Sequence, residues 1–70
     1  MQKYDSLTNT ELRYLIDEYI HSERDRRIMR YKLVDGYTYE RIAEIEAMSP
    51  RQIKTIVKRC SAAIWQSVMN

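Results

Sequence analysis

Six side chains close together in the sequence have types that could do chemistry in concert: Arg51, Gln52, Lys54, Thr55, Lys58 and Arg59. Guanidinium and carboxamide groups hydrogen-bond the edges of nucleic-acid bases, and ammonium groups neutralise phosphates. The spacing suits a helix. Arg51, Lys54, Thr55 and Lys58 recur at three and four residues, away from the side that carries Ile53, Ile56 and Cys60. Arg51 and Gln52 stand at the N-terminal end of such a helix, with Thr55 one turn on. These three are the candidates for meeting base edges. Ser49, Lys54, Lys58 and Arg59 are candidates for phosphate contact, which positions a protein without specifying sequence. The bland alternative, a basic helix face that is merely solvated, stays open.

Charge distribution favours the first reading. The chain has 70 residues and a net charge of +2, from 12 basic and 10 acidic side chains. All ten acidic residues precede Ala47, so the last third of the chain is purely cationic. Other chemistries lack their parts. One cysteine excludes an internal disulfide, and one Cys with one His gives too few soft ligands for a structural zinc site. No residue set supplies a nucleophile, a base and a charge stabiliser, so the expectation is a non-enzyme without metal or cofactor. No run approaches the length of a membrane span, and the N-terminus lacks a secretory apolar stretch. The expected setting is cytoplasmic, with no membrane partner.

The positioning elements follow from capping signals and apolar periodicity. Thr8 and Glu11 have capping-box spacing, followed by Leu12, Leu15, Ile16, Tyr19 and Ile20. This predicts a helix over 9–20, preceded by a loosely held segment 1–7. Ser22 and Asp25 repeat that spacing, with Ile28, Met29, Tyr31, Leu33 and Val34 apolar and Asp35-Gly36 as the stop. The prediction is a helix over 23–34, although YKLVDGYTY could also pass for a hairpin. Thr38 caps a short helix over 39–46 with Ile42 and Ala43 inward. Ser49, Pro50 and Gln52 open the last helix, 50–68, with Ile53, Ile56, Val57, Cys60, Ala63 and Ile64 as its apolar stripe. No strand survives, so the expected class is all-α.

Thr38 to Lys58 carries the most information. A short helix, a turn at Ala47-Met48-Ser49 and a longer helix have the spacing of a helix-turn-helix. Ala43 is small where two helices would cross closely, and Ile53 is branched where the second would lock on. The fold expected is therefore a small tetrahelical helix-turn-helix domain without a wing, occupying 8–70. Helix 50–68 would lie in the major groove, with helix 39–46 crossing the backbone above it.

At these residues the chain resembles the fourth conserved region of sigma-70-type factors and related small phage or prophage regulators. The matching stretch is ERDRRIMRYKLVDGYTYERIAEIEAMSPRQIKTIVKRC, residues 23–60. Its core is Asp35-Gly36-Tyr37-Thr38-Tyr39-Glu40-x-Ile42-Ala43, then Met48-Ser49 and Ile53-Lys54-x-Ile56. Leu7-Thr8-x-x-Glu11 also resembles the opening of response-regulator DNA-binding domains. The resemblance implies that helix 50–68 is the recognition helix, with Ser49, Arg51, Gln52, Thr55 and Lys58 facing DNA. The family usually has glycine at the position of Ala47 and a large apolar residue at that of Glu46. Either helix three is rotated slightly or Ile45 contacts a partner, and a partly buried Glu46 would need a hydrogen-bond partner. Nothing resembles the sigma region that binds the minus-ten promoter element, so the resemblance implies something other than a complete sigma factor.

Several further residues invite a reading. Arg24, Arg27 and Arg30, with Arg26, form a second basic cluster interrupted by Glu23 and Asp25; it either touches phosphates or is a salt-bridged solvent face. Tyr39, the first residue of its helix, is a phosphate candidate. His21 reads as a surface or capping residue and Cys60 as core. Trp65, Val68 and Met69 either close over helix one or form a dimer seam. The function expected is sequence-specific binding of double-stranded DNA to regulate transcription, in a protein of phage or mobile-element origin, with a second copy of the chain as a candidate partner. The alternative is a protein-binding module on the same scaffold. It would modify RNA polymerase or a sigma factor, or inhibit a host defence nuclease, through an apolar patch around Ile45, Tyr14 and Trp65.

Overall fold

Every helix start is made by a hydroxyl side chain that accepts from a backbone amide three residues on. In the computed structural model, which describes residues 7–69 apart from the Met69 side chain, four α-helices follow in order. They are α1 (Asn9–Tyr19), α2 (Glu23–Leu33), α3 (Tyr39–Glu46) and α4 (Pro50–Met69). The expected loose segment 1–7 lies, but for Leu7, outside the described residues. Thr8 and Glu11 form a reciprocal capping box, at 3.1 and 3.0 Å. Ser49 and Gln52 do the same at the head of α4, and the Ser49 hydroxyl also donates to the Gln52 carbonyl oxygen. Thr38 accepts from the Arg41 amide at the head of α3. The box expected at Ser22 is only half made. Ser22 accepts from the Asp25 amide, but the Asp25 carboxylate turns inward and does not return to the Ser22 backbone.

The ends of α2 and α3 are each followed by a left-handed residue. Gly36 takes φ +73° after α2, and the Tyr37 amide returns to the Tyr31 carbonyl at 2.9 Å. The segment YKLVDGYTY is thus a helix end with a cap, not a hairpin. Ala47 takes φ 55° and ψ 45° after α3. Its amide bonds the Glu44 carbonyl and that of Met48 bonds the Ala43 carbonyl, the pairing of a Schellman cap. Ile20 and Val34, expected as helical, are the capping residues of α1 and α2.

One apolar core joins the four helices. Ile16 and Ile20 from α1 and its cap, Ile28 and Met29 from α2, and Ile42 and Ala43 from α3 surround Ile53, Ile56, Val57, Cys60 and Ile64 of α4. The periodicity predicts most of these. Ala63, expected in the α4 stripe, is exposed, and Tyr19 sits at the surface. α1 touches α2 and α4 but not α3. α3 therefore stands at one end of the bundle, away from α1, while α4 touches all three other helices.

An ion pair fixes that end. Glu46, the last residue of α3, keeps only 8% of its side chain exposed, and both its oxygens accept from Arg27 of α2, each at 2.9 Å. This is the partner a buried Glu46 requires. Its neighbour Ile45 is 44% exposed, so α3 turns its penultimate residue outward. Arg27 holds the Glu46 carboxyl below its ordinary pKa, and Glu46 raises that of Arg27.

Candidate functional site

α4 determines which side chains can act together, because burying Ile53, Ile56, Val57 and Cys60 turns the opposite face to solvent. Arg51, Gln52, Lys54, Thr55, Lys58 and Arg59 are all exposed, as is Ser49 just before them. Among the described residues, Arg51, Lys54 and Lys58 form no ion pair. Thr55 donates its hydroxyl to the Arg51 carbonyl at 3.1 Å, which leaves its methyl and an oxygen lone pair outward. Lys54 and Arg59 are five residues apart, or about 140° around the helix, with Arg51, Thr55 and Lys58 in the arc between them. The outward face is thus bracketed by a different cationic wall on each flank.

The wall on the Lys54 side is built on tyrosine. The Tyr39 ring, at the head of α3, carries the Lys32 ammonium 4.2 Å and the Lys54 ammonium 5.6 Å from its centroid. Beside it Tyr37 stacks on Tyr31, with centroids 5.7 Å apart, and the Arg41 guanidinium lies 5.3 Å from the Tyr37 ring. Lys32 also donates to the Tyr37 carbonyl at 3.3 Å. Sequence reasoning included Tyr39 but missed Lys32 and Arg41. The available signal was the pair of tyrosines flanking the Thr38 cap, since a ring face held in place attracts any cation within reach.

The wall on the Arg59 side is built on a carboxylate. Asp25 is 6% exposed. It accepts from Arg24 Nε and Nη2 at 3.2 and 3.1 Å, and from Arg59 Nη2 at 2.7 Å. The Cys60 thiol points at the same carboxylate at 4.0 Å. Burial and that charge push the thiol above its ordinary pKa, so it stays protonated at neutral pH. Arg24 of this wall also lines a groove of about 350 Å³, shared with Met48, Arg51, Gln52, Thr55 and Ile56.

The rest of the second basic cluster is engaged with its own chain. Arg27 pairs with Glu46, and Arg30 with Asp17 at 3.3 Å. Arg26 pairs with Glu23 and donates to the Ile20 and Asp17 carbonyls, tying α2 to the end of α1. Only Arg24 of the four borders the α4 groove.

At the opposite end lies an apolar groove of about 430 Å³, lined by Leu7, Thr10, Glu11, Tyr14, Leu15 and Val68. Tyr14 is 63% and Val68 44% exposed, whereas Trp65 is half-buried. The Met69 side chain, named with them as a dimer seam, lies outside the described residues. Cys60 is core, and His21 is exposed between α1 and α2. Among the described residues no cluster of His, Cys, Asp or Glu could hold a metal ion, and no helix is long and apolar enough to cross a membrane. No family model, curated protein or solved structure matches the chain.

Proposed function

We propose that the protein binds double-stranded DNA sequence-specifically and regulates transcription, with α3, the Ala47–Ser49 turn and α4 acting as a helix-turn-helix. The observation that carries this reading is the α4 face. Three cations without an ion pair, Arg51, Lys54 and Lys58, line an outward arc flanked by two cationic walls, while the opposite side is locked into the core. In this reading α4 enters the major groove. Arg51 pairs with acceptors on guanine, Gln52 donates to base edges, and the Thr55 methyl meets apolar base surface. Ser49, Lys54, Lys58, Arg59 and Tyr39 engage phosphates and fix the register. An origin in a phage or mobile element belongs to the same proposal and rests on the resemblance over residues 23–60.

Titration of the protein into labelled random duplex at low and raised salt tests the proposal. Binding at low salt that weakens steeply as salt rises is the expected result, because phosphate neutralisation releases counterions. Selection from a random duplex pool should then return a preferred site. Absence of binding at low salt refutes the reading.

A second reading has one observation in its favour. The apolar groove at Tyr14, Leu15 and Val68, together with exposed Ile45, is surface of the kind that protein partners cover. On that reading the scaffold contacts RNA polymerase, a sigma factor, a defence nuclease or a second copy of itself, and the duplex titration stays flat.

A further inference from the structure

Asp25 is a buried carboxylate of α2 that reaches α4, and its side-chain partners are not those of a helix cap. It draws together Arg24 from the first turn of α2 and Arg59 from the middle of α4, residues far apart in the chain. Both guanidiniums remain open to solvent, with 48% and 61% of their side chains exposed. Each uses only part of its donor set on Asp25. Among the described residues, Arg24 keeps Nη1 unbonded, and Arg59 reaches Asp25 through Nη2 alone while its side chain also bonds the Cys60 thiol. Two guanidiniums held on one carboxylate, each about half exposed or more, form an acceptor-binding site of net charge +1. Its Arg24 member lines the groove that Arg51, Gln52 and Thr55 share.

We propose that Arg24 and Arg59 form a binding site for a phosphodiester of the DNA strand on the α2 flank of α4, and that Asp25 is its positioning residue. The inference rests on the DNA reading and deepens it. Guanidinium suits this role better than ammonium, since its planar fork can hold a carboxylate on one edge and a phosphate on another. Asp25 touches no DNA. It immobilises two long side chains before binding, so their ordering entropy is not lost on complex formation.

The proposal makes a counter-intuitive prediction of sign. Asp25→Asn removes a negative charge beside the DNA-binding face. Simple charge arithmetic says that binding should tighten. Positioning says that it should weaken, because Asn holds the two guanidiniums poorly. We expect duplex affinity to fall about tenfold, with the slope of log affinity against log salt shrinking by about one. A purely structural role would not move that slope. In an Arg24→Ala/Arg59→Ala background the Asp25→Asn change should no longer weaken binding, since the residue acts through those two. Should Asp25→Asn fail to fold by circular dichroism, Arg24→Lys and Arg59→Lys keep both charges and the carboxylate. Each is then expected to bind DNA several-fold more weakly at unchanged net charge. Binding by Asp25→Asn, or by both lysine variants, as tight as the parent's with the same slope overturns the inference and leaves the DNA reading intact. A parent protein that binds no duplex at low salt overturns both.

Discussion

Ala47 and Gly36 both sit in the left-handed region, but only one of them is a glycine. The region costs an L-residue about 1–2 kcal/mol, through crowding of its Cβ. Glycine escapes that cost but loses more backbone freedom on folding, by about 0.4–1 kcal/mol. Ala47 is exposed, so its methyl contributes little burial. The balance for Ala47→Gly is a gain of about 0.5–1 kcal/mol, or roughly 2–8 °C in melting temperature for a domain this small. Gly36→Ala is the mirror experiment. A Cβ there would meet nothing within 4 Å, so conformational strain acts alone and the same amount is lost. Thermal melts followed by circular dichroism, with urea titrations to check that the m-value is unchanged, read both effects. A lower melting temperature for Ala47→Gly, or an unchanged one for Gly36→Ala, would refute the strain argument for these turns.

Four further outcomes follow from the packing and the charges. Ile53→Ala, at a position with no solvent exposure, should cost about 2–5 kcal/mol, a large part of the stability expected at this size, measured by urea denaturation. Glu46 has its folded pKa lowered by Arg27, so its contribution is full above the ordinary carboxylate value and is lost as pH falls through the folded one. Acid titration of Glu46→Gln should accordingly show a flatter loss of stability below about pH 4.5 than the parent does. On the DNA reading, Arg51→Ala should lose about 1–3 kcal/mol of discrimination between selected and random sites. Lys58→Ala should instead weaken binding to every duplex alike and reduce the salt slope by about one.

The elements were legible in the sequence because their signals are local. Thr8 with Glu11, and Ser49 with Gln52, act over three residues, and the isoleucines of α4 repeat every turn. What the sequence hid were the partners chosen across the fold. Asp25 stands where a capping box would use it, and only tertiary packing shows that Arg59 and Cys60 claim its carboxylate. Glu46 looked out of place on an inward position until Arg27, 19 residues earlier, supplied both donors. The same applies to Lys32 and Arg41, whose rings come from a different element or a preceding loop. Type and spacing identified the cations of α4. Which other arginines remain open could be read only from the distances among the charges.

The cap at the head of α4 also limits what Gln52 can say to a ligand. Its carbonyl oxygen is already answering the Ser49 amide and hydroxyl, so its amide hydrogens alone face outward. A visitor therefore meets a one-way donor. On the DNA reading, guanine and thymine edges, rich in acceptors, suit such a side chain as it stands, whereas the mixed edge of adenine asks for the carbonyl too. Satisfying adenine would mean unlatching the first turn of the helix that does the asking, so the vocabulary of this position is narrowed by the device that winds its own rod.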